Sequence, residues 1–428
     1  MTRRPRSPDS DRDFQAWIDR AKRMPIDDVL RRLGHLPLAD DRGGPCPRPG
    51  CCDPRKSARQ SDRFSINRRK GLFYCRASGA GGPNFELVRH VTDMRFVDAV
   101  EFVSGEKPPS FSREETEAER AERFARLEQA ERDAQARRAE QERTSAVYRE
   151  DERRRAFKIW RKGVEIAGTP VEAYLARRGL VAPAQARLRY LADEPYYIEG
   201  PDKEPVELFR GPCMAAAMLR HDAQRGGEIF ACLHRTWIDL DDSKGKRRIV
   251  DPDSGELIGA KKMRGSKKGA SILLARKPDA DGAIVRWFLG EGIENALSVW
   301  RALFEACDVR LDGAEFRAAG DLGNMSGKAA ARAPHPSETF VDRAGRKRRR
   351  TVPGPDPLAP DDDPVIFIPA GVRELFLIED GSSEPFFTDC AIRRAAARFA
   401  RENPELEIRR IKSAPGLDHN AMLMEGAA

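Results

Sequence analysis

Apolar residues recur near helical spacing over residues 13–32, at Phe14, Trp17, Ile18, Ala21, Met24, Val29 and Leu30, which predicts an amphipathic helix. Residues 43–83 then turn rich in Gly, Pro, Arg and Cys, with strand-like runs at 63–67 and 71–75. Helical patterns follow at 84–92 and 96–104, and Gly105 to Pro109 closes this part. Residues 112–158 are almost wholly Glu, Arg, Ala and Gln, with no sustained apolar seam. A helix polar on all sides is a solvent-exposed spacer held by ion pairs between successive turns, rather than a coiled coil. Beyond it the chain reads as a helix carrying Tyr174 and Leu175 that ends at Gly179. Strands are predicted at 187–191, 215–220, 228–237 and 271–275, the middle two as a hairpin. From 284 the order is strand, helix, strand, then a long insertion, then strand 373–379, helix 388–402 and strand 406–412. Strands alternating with helices predict an α/β domain on a parallel sheet.

The predicted organisation is therefore a disordered tail (1–12), a cysteine-bearing module (13–109) and a charged helical spacer (110–158). An α+β middle domain (159–282) and an α/β domain (283–428), with a disordered insertion at about 324–364, complete it.

Charge narrows the choice of partner. The 77 Lys and Arg outnumber the 69 Asp and Glu, for a net charge of +8. Such a balance favours nucleic acid over a membrane, the alternative being an ordinary solvated surface. No apolar run approaches the roughly 18 residues of a membrane helix. The start is basic but leads into Asp9, Asp11 and Asp13, not an apolar export signal. A cytoplasmic location with no membrane partner is the expectation, and there clustered cysteines indicate metal before disulfide.

Four of the eight cysteines cluster, at Cys46, Cys51, Cys52 and Cys75. Four ligands converging from two hairpin tips would suit Zn²⁺. Where a second Cys-x-x-Cys pair would lie, the chain has Cys75-Arg-Ala-Ser78, and neutral serine is a poor zinc ligand. A three-cysteine or rearranged site, a module without metal, or unrelated surface thiols are the alternatives.

Two apolar strands end in carboxylates. One delivers Glu291, with Glu294 close behind as a helix N-terminal carboxylate; the other delivers Asp380, Ser382 and Glu384. Open α/β sheets place their sites at such strand ends. Acids meeting there would hold a divalent cation for phosphoryl transfer. The basic run Lys261, Lys262, Arg264, Lys267 and Lys268 precedes the first acid. It fits no P-loop; it would steer a nucleotide or template, or simply be a solvated hairpin tip. His234 reads as a satisfied polar core group or as a lining of the same cleft as the basic run, and the run 346–350 as a nucleic-acid grip or a disordered basic stretch.

The N-terminal module resembles the zinc ribbon at the front of bacterial and phage-type DNA primases. Cys46-Pro, Asp62-Arg-Phe-Ser-Ile, Leu72-Phe-Tyr-Cys75, Gly79-Ala-Gly-Gly82 and Phe85-Glu-Leu-Val-Arg carry the likeness. It implies single-stranded template binding, for which Arg63, Arg68, Arg69 and Lys70 supply charge and Phe64, Phe73 and Tyr74 stacking faces, the alternative for the aromatics being the module's own small core. Phe64 suits the module's own core. The C-terminal third resembles the Toprim fold of primases, topoisomerases and some nucleases, a Rossmann-like parallel sheet. Glu291 matches its first acid and Asp380-Gly-Ser382-Ser-Glu384 its acidic triplet, with Ser382 at the middle carboxylate. Gly320-Asp-Leu-Gly-Asn matches a turn after its second strand, and Leu417-Asp418-His419-Asn420 its close.

The resemblance implies a primase-like nucleotidyltransferase of the phage or plasmid mobile-element type. Asp380, Ser382 and Glu384 would hold Mg²⁺ or Mn²⁺, with Glu291 as the base. Its partners would be single-stranded DNA, nucleoside triphosphates and a replicative helicase. The alternatives are a catalytically weak DNA-binding module and a Toprim nuclease. No tyrosine nucleophile accompanies the acids, which counts against a topoisomerase.

Overall fold

The structure is a computed structural model and describes residues 8–35, 44, 46–48, 51, 64–109, 117–200, 204–342, 345–359 and 364–426. Residues 1–7, Cys52 and Arg63, on which several expectations fall, lie outside the described residues. The chain divides into two compact units, 1–147 with 199–205, and 148–198 with 206–428.

In the first unit, α1 (Pro8–Arg23) and α2 (Ile26–Arg32) precede a small antiparallel sheet of β1 (Phe64–Asn67), β2 (Leu72–Cys75) and β3 (Gly81–Pro83). Helices α3 (Asn84–Thr92) and α4 (Phe96–Ser104) follow. Helix α1 begins at Pro8, so the tail predicted over 1–12 is helical from there on. The spacing of apolar positions brings Trp17, Val29, Leu30, Phe64, Phe73 and Val88 into one core. Buried Asn84 ties α3 to α1 by donating to the carbonyls of Ala21 (2.7 Å) and Met24 (2.8 Å). Buried amides without partners are costly, and here both are satisfied.

Helix α5 (Glu117–Lys162) is the predicted charged helix, shifted four to five residues along the chain. Pairs such as Glu128–Arg132 (2.9 Å) and Glu150–Arg154 (3.0 Å) stabilise exposed turns, each by a few tenths of a kcal/mol at most. Its end is different: Ala156 and Trp160 are buried in the second unit.

That unit continues with α6 (Pro170–Arg177), β4 (Leu188–Glu199), β5 (Pro205–Asp222), β6 (Gly227–Trp237), β7 (Ile249–Val250), β8 (Leu257–Ile258), β9 (Lys261–Gly265) and β10 (Ala270–Lys277). Then come β11 (Arg286–Gly290), α7 (Ile293–Glu305), β12 (Ala314–Ala318), α8 (Leu322–Ser326), β13 (Arg332–Val341) and β14 (Lys347–Pro353). Last are β15 (Glu374–Glu379), α9 (Pro385–Glu402), β16 (Glu407–Lys412) and α10 (His419–Glu425).

Nine strands form one sheet in the order β16-β15-β11-β12-β10-β5-β6-β9, with β4 on β5. It is mixed, not parallel throughout: β16, β15, β11 and β12 run parallel, and β10 joins β12 antiparallel. That last pairing makes one sheet of residues expected as separate middle and C-terminal domains. Phe288, Phe316 and Phe376 share a core with α7, while Trp287, Leu289, Leu375 and Leu377 face α9. The alternation follows the two-residue period of a strand. The insertion is not disordered over its described part: β13 and β14 pair as an antiparallel hairpin, with Thr339 opposite Arg349 and Phe340 opposite Arg348.

Candidate functional site

Cys46, Cys51, Cys75 and His90 offer four ligand atoms that all lie within 4.8 Å of one another. Cys51 Sγ is 3.6 Å from Cys75 Sγ, and Cys46 Sγ is 3.2 Å from His90 Nε2. A tetrahedron with Zn–S near 2.3 Å has sulfur–sulfur edges of about 3.8 Å, so these residues fit a zinc ion. Local structure aims them. Gly44 pairs with Phe64 and carries the Cys46 loop on the edge of β1. Arg48 donates to the carbonyl of His90 at 3.0 Å and reaches Asp93 at 3.2 Å, binding that loop to α3. The His90 ring stacks on Phe73, centroids 5.6 Å apart.

Ser78 is a helper rather than a ligand. Burial pushes the Cys75 thiol up, but hydrogen bonds from the Ser78 hydroxyl and from the Ser78 and Ala77 amides outweigh it and bring it down to about 7. Burial and the Arg48 charge lower His90, with Asp93 opposing, which favours the neutral imidazole that a metal ligand needs. Burial raises Cys46, whose proton a metal would have to displace. Sequence reading missed His90. The absent cysteine at Ser78 was the signal: a missing ligand sends the search to the next buried donor, and His90 follows on the helix after the ribbon.

The basic residues expected on this module divide. Arg68 is held by Asp27 through bonds of 2.5 and 3.1 Å, whereas Arg69 and Lys70 are exposed in the turn before β2. Tyr74 is 50% exposed, while Phe64 and Phe73 are core.

In the second unit, Glu291 and Asp380 follow β11 and β15, which are adjacent and parallel. Numbered in chain order, the parallel block runs second, first, third, fourth, so its order reverses between β11 and β15. Ligands of open α/β sheets bind in the crevice at such a reversal. Burial raises Glu291, the negative charges of Asp380 and Asp321 add to it, and Lys261 opposes it. Gly320 donates to the Glu291 carbonyl at 2.9 Å and turns with φ +87°. That left-handed φ is what favours glycine here. The turn delivers Asp321, which caps α8 and pairs with Lys267.

Asp380 accepts from the Ser382 amide (2.9 Å) and hydroxyl (2.6 Å) and from Asn295 Nδ2 (3.2 Å). Glu384 is engaged differently. It caps α9, accepting from the amides of Phe386 (2.8 Å) and Phe387 (2.6 Å), and stands 3.1 Å from His335 Nε2. Among the described residues, acidic side chains are not gathered as tightly as the Cys/His set.

Around the acids lies a buried polar cluster. Glu294, on the first turn of α7, accepts from Tyr174 Oη at 2.7 Å and pairs with Lys246 (2.6 Å) and Lys261 (3.6 Å). Burial works against its charge, but Lys261, Lys246 and Tyr174 hold it well below the usual carboxylate range. His234 is buried, and its Nδ1 has no partner among the described residues; burial and Lys261 lower it to about 4. It is a core residue, though not the fully satisfied one its sequence suggested. The strand period splits the 261–268 run. Lys261 turns to Glu294, whereas Lys262 lies over the Tyr196 ring and Arg264 pairs with Glu152 at 3.0 Å. Lys267 pairs with Asp321, and Lys268 also has an interaction partner. At the close, Asp418 caps α10 and Asn420 donates to the Arg178 carbonyl at 2.8 Å.

No helix of the described residues is long and apolar enough to cross a membrane. Residues 150–274 match the model of a domain of unknown function, DUF7146. Tyr174, His234, Lys246 and Lys261 all belong to that segment. No curated protein matches the chain. Among solved structures, the chain is similar to the Aquifex aeolicus primase (zinc binding and RNA polymerase domains) at 13% identity and a TM-score of 0.27, over 96% of this chain and 82% of that one. A score so low transfers nothing from that enzyme to this chain.

Proposed function

We propose that this protein is a primase-like nucleotidyltransferase that joins nucleotides on a single-stranded DNA template by metal-assisted phosphoryl transfer. The observation that carries the reading is the pairing of Glu291 and Asp380 at the ends of adjacent parallel strands, where the strand order reverses. The cysteine-rich module, with a donor set suited to Zn²⁺, supports it.

Mg²⁺ held at these acids would neutralise charge developing on the phosphate. Asp380, oriented by Asn295 and Ser382, is the ligand we assign, and Ser382 supports it through hydrogen bonds. Glu291, raised by burial and by Asp380, is suited to accept the proton of the attacking hydroxyl. Lys261 and Lys267 line the same strand ends with positive charge suited to triphosphate. Exposed Arg69, Lys70 and Tyr74 suit a single-stranded template. A replicative helicase would be the partner that supplies it.

A second reading, a binding module without turnover, draws on the neutral Ser382 and on Glu384's occupation as a cap. Primer synthesis on single-stranded DNA with nucleoside triphosphates and Mg²⁺ separates the two. Wild type should extend product and Glu291→Gln should not. Template binding without product at any Mg²⁺ concentration would establish the binding module, and cleavage of the template would establish a nuclease.

A further inference from the structure

The inserted hairpin is a basic ribbon rooted at the acidic strand ends. Between Arg332 and Pro353 the sequence has seven Lys or Arg against two acids. Its root is fixed in two ways: His335 meets Glu384, and buried Arg394 of α9 donates to the carbonyls of Pro353 (3.3 Å) and Gly354. Glu384 lies four residues beyond Asp380, so the ribbon projects from the strand end that holds the proposed metal ligand.

Toward its tip the ribbon alternates. Lys347 and Arg349 share one face, and Arg348 and Arg350 the other. Asp342 and Glu338 balance Arg346, Arg348 and Arg350, but no described residue pairs with Lys347 or Arg349. Two large apolar side chains stand among these charges. Phe340 is 52% exposed opposite Arg348, and Val341 is 68% exposed opposite Lys347. Charged residues on an isolated ribbon can simply prevent edge-to-edge pairing. An edge built only to repel would not present Phe and Val at its tip. Phe340 shares the face of Arg348 and Arg350, whose side chains stay exposed in their pairs with Asp342 and Glu338, so cations and an aromatic ring stand together on that face in the arrangement that tracks phosphates and stacks a base.

We infer that the β13–β14 hairpin is a nucleic-acid-binding ribbon that grips a single strand, its arginines on the phosphates and Phe340 on a base. This deepens the reading proposed above, and the two fail separately.

The test uses the full chain and fluorescence anisotropy with a labelled single strand and with its duplex, over a range of salt. The combined Arg348→Ser, Arg349→Ser and Arg350→Ser variant should weaken single-strand binding about tenfold. It should also flatten the slope of log affinity against log salt by about 2. Phe340→Ala should weaken single-strand binding about tenfold and leave duplex binding unchanged. The affected side chains are exposed, so thermal melting should match wild type. Wild-type affinity and slope in both variants would overturn the inference. Loss confined to the duplex would overturn the single-strand assignment. Inactive Glu291→Gln with unaffected ribbon variants removes the ribbon alone. Active Glu291→Gln with impaired ribbon variants removes the proposed active site alone.

Discussion

His335 Nε2 stands 3.1 Å from Glu384 Oε1, and its other ring nitrogen accepts the Glu338 amide at 2.8 Å. A neutral imidazole with Nδ1 so occupied carries its proton on Nε2, aimed at the carboxylate. Two α9 amides bind the same group. Burial works to raise Glu384, but these bonds outweigh it and hold its carboxyl below the usual range. The residue that the motif marks as a metal ligand is thus a helix cap and the anchor of an inserted hairpin.

If capping is its role, Glu384→Ala should lower stability by about 1–2 kcal/mol, read from the denaturation midpoint. The Mg²⁺ concentration for half-maximal primer synthesis should stay within about twofold of wild type, whereas Asp380→Asn should raise it at least about tenfold. An equal rise in both variants would return Glu384 to the metal.

Zinc binding should depend on His90 and on Ser78 in different ways. His90→Ala and Cys75→Ser should each lose most bound zinc by metal analysis, since each removes a ligand. Ser78→Ala should retain the site but weaken zinc about tenfold in a chelator competition, because the Cys75 thiolate loses the hydroxyl's hydrogen bond and keeps only those of the Ser78 and Ala77 amides. Acidification should release the metal, as protons compete first for the thiols and only at lower pH for His90, whose value is depressed. Ser78→Ala with unaltered affinity would show that the hydroxyl does nothing for the site.

The pH dependence of turnover follows from Glu291. Its value is raised by burial and then by Asp380, and a general base works only when ionised. The rate at saturating Mg²⁺ should therefore climb with pH through a midpoint above the ordinary carboxylate range and then level. Asp380→Asn removes a neighbouring negative charge, so the remaining activity should show its midpoint at lower pH. A midpoint that stays fixed, or moves upward, would separate Glu291 from Asp380.

Buried Glu294 pairs with half-buried Lys246, and Tyr174 closes the pair. Glu294→Gln leaves Lys246 without its charged partner and, because that side chain still reaches solvent, should cost about 1.5–3 kcal/mol in urea unfolding. Lys246→Met added to it should recover part of that loss. Because folding depresses the Glu294 carboxyl, its contribution is complete above the ordinary carboxylate value and disappears as pH falls through the lower folded one. A wild-type unfolding midpoint for Glu294→Gln would contradict this.

Much of the architecture was legible in one dimension. Helical spacing marked α1, α3 and α4, and the polar composition marked α5. Apolar runs ending in acid marked β11 and β15. These signals are local, since a period of two or 3.6 is written into neighbouring residues. The hairpin within 324–364 was not legible, because its strands are rich in Arg and Pro and its root is held by α9, not by an apolar pattern. The join between the middle and C-terminal regions was hidden as well. It is a pairing of β10 with β12, and no local pattern encodes which strand edges will meet.

The sequence by itself determined the residue types: cysteines where a soft metal can bind, acids at strand ends, and a surplus of cations. Tertiary structure alone decided how they combine. It brought His90 from a helix to complete the thiol set, turned Glu384 into a cap, and spent Lys246 on buried Glu294. Hydrogen bonds and ion pairs act over a few ångströms, so each donor's role depends on what folding sets beside it, however far away in the chain that neighbour lies.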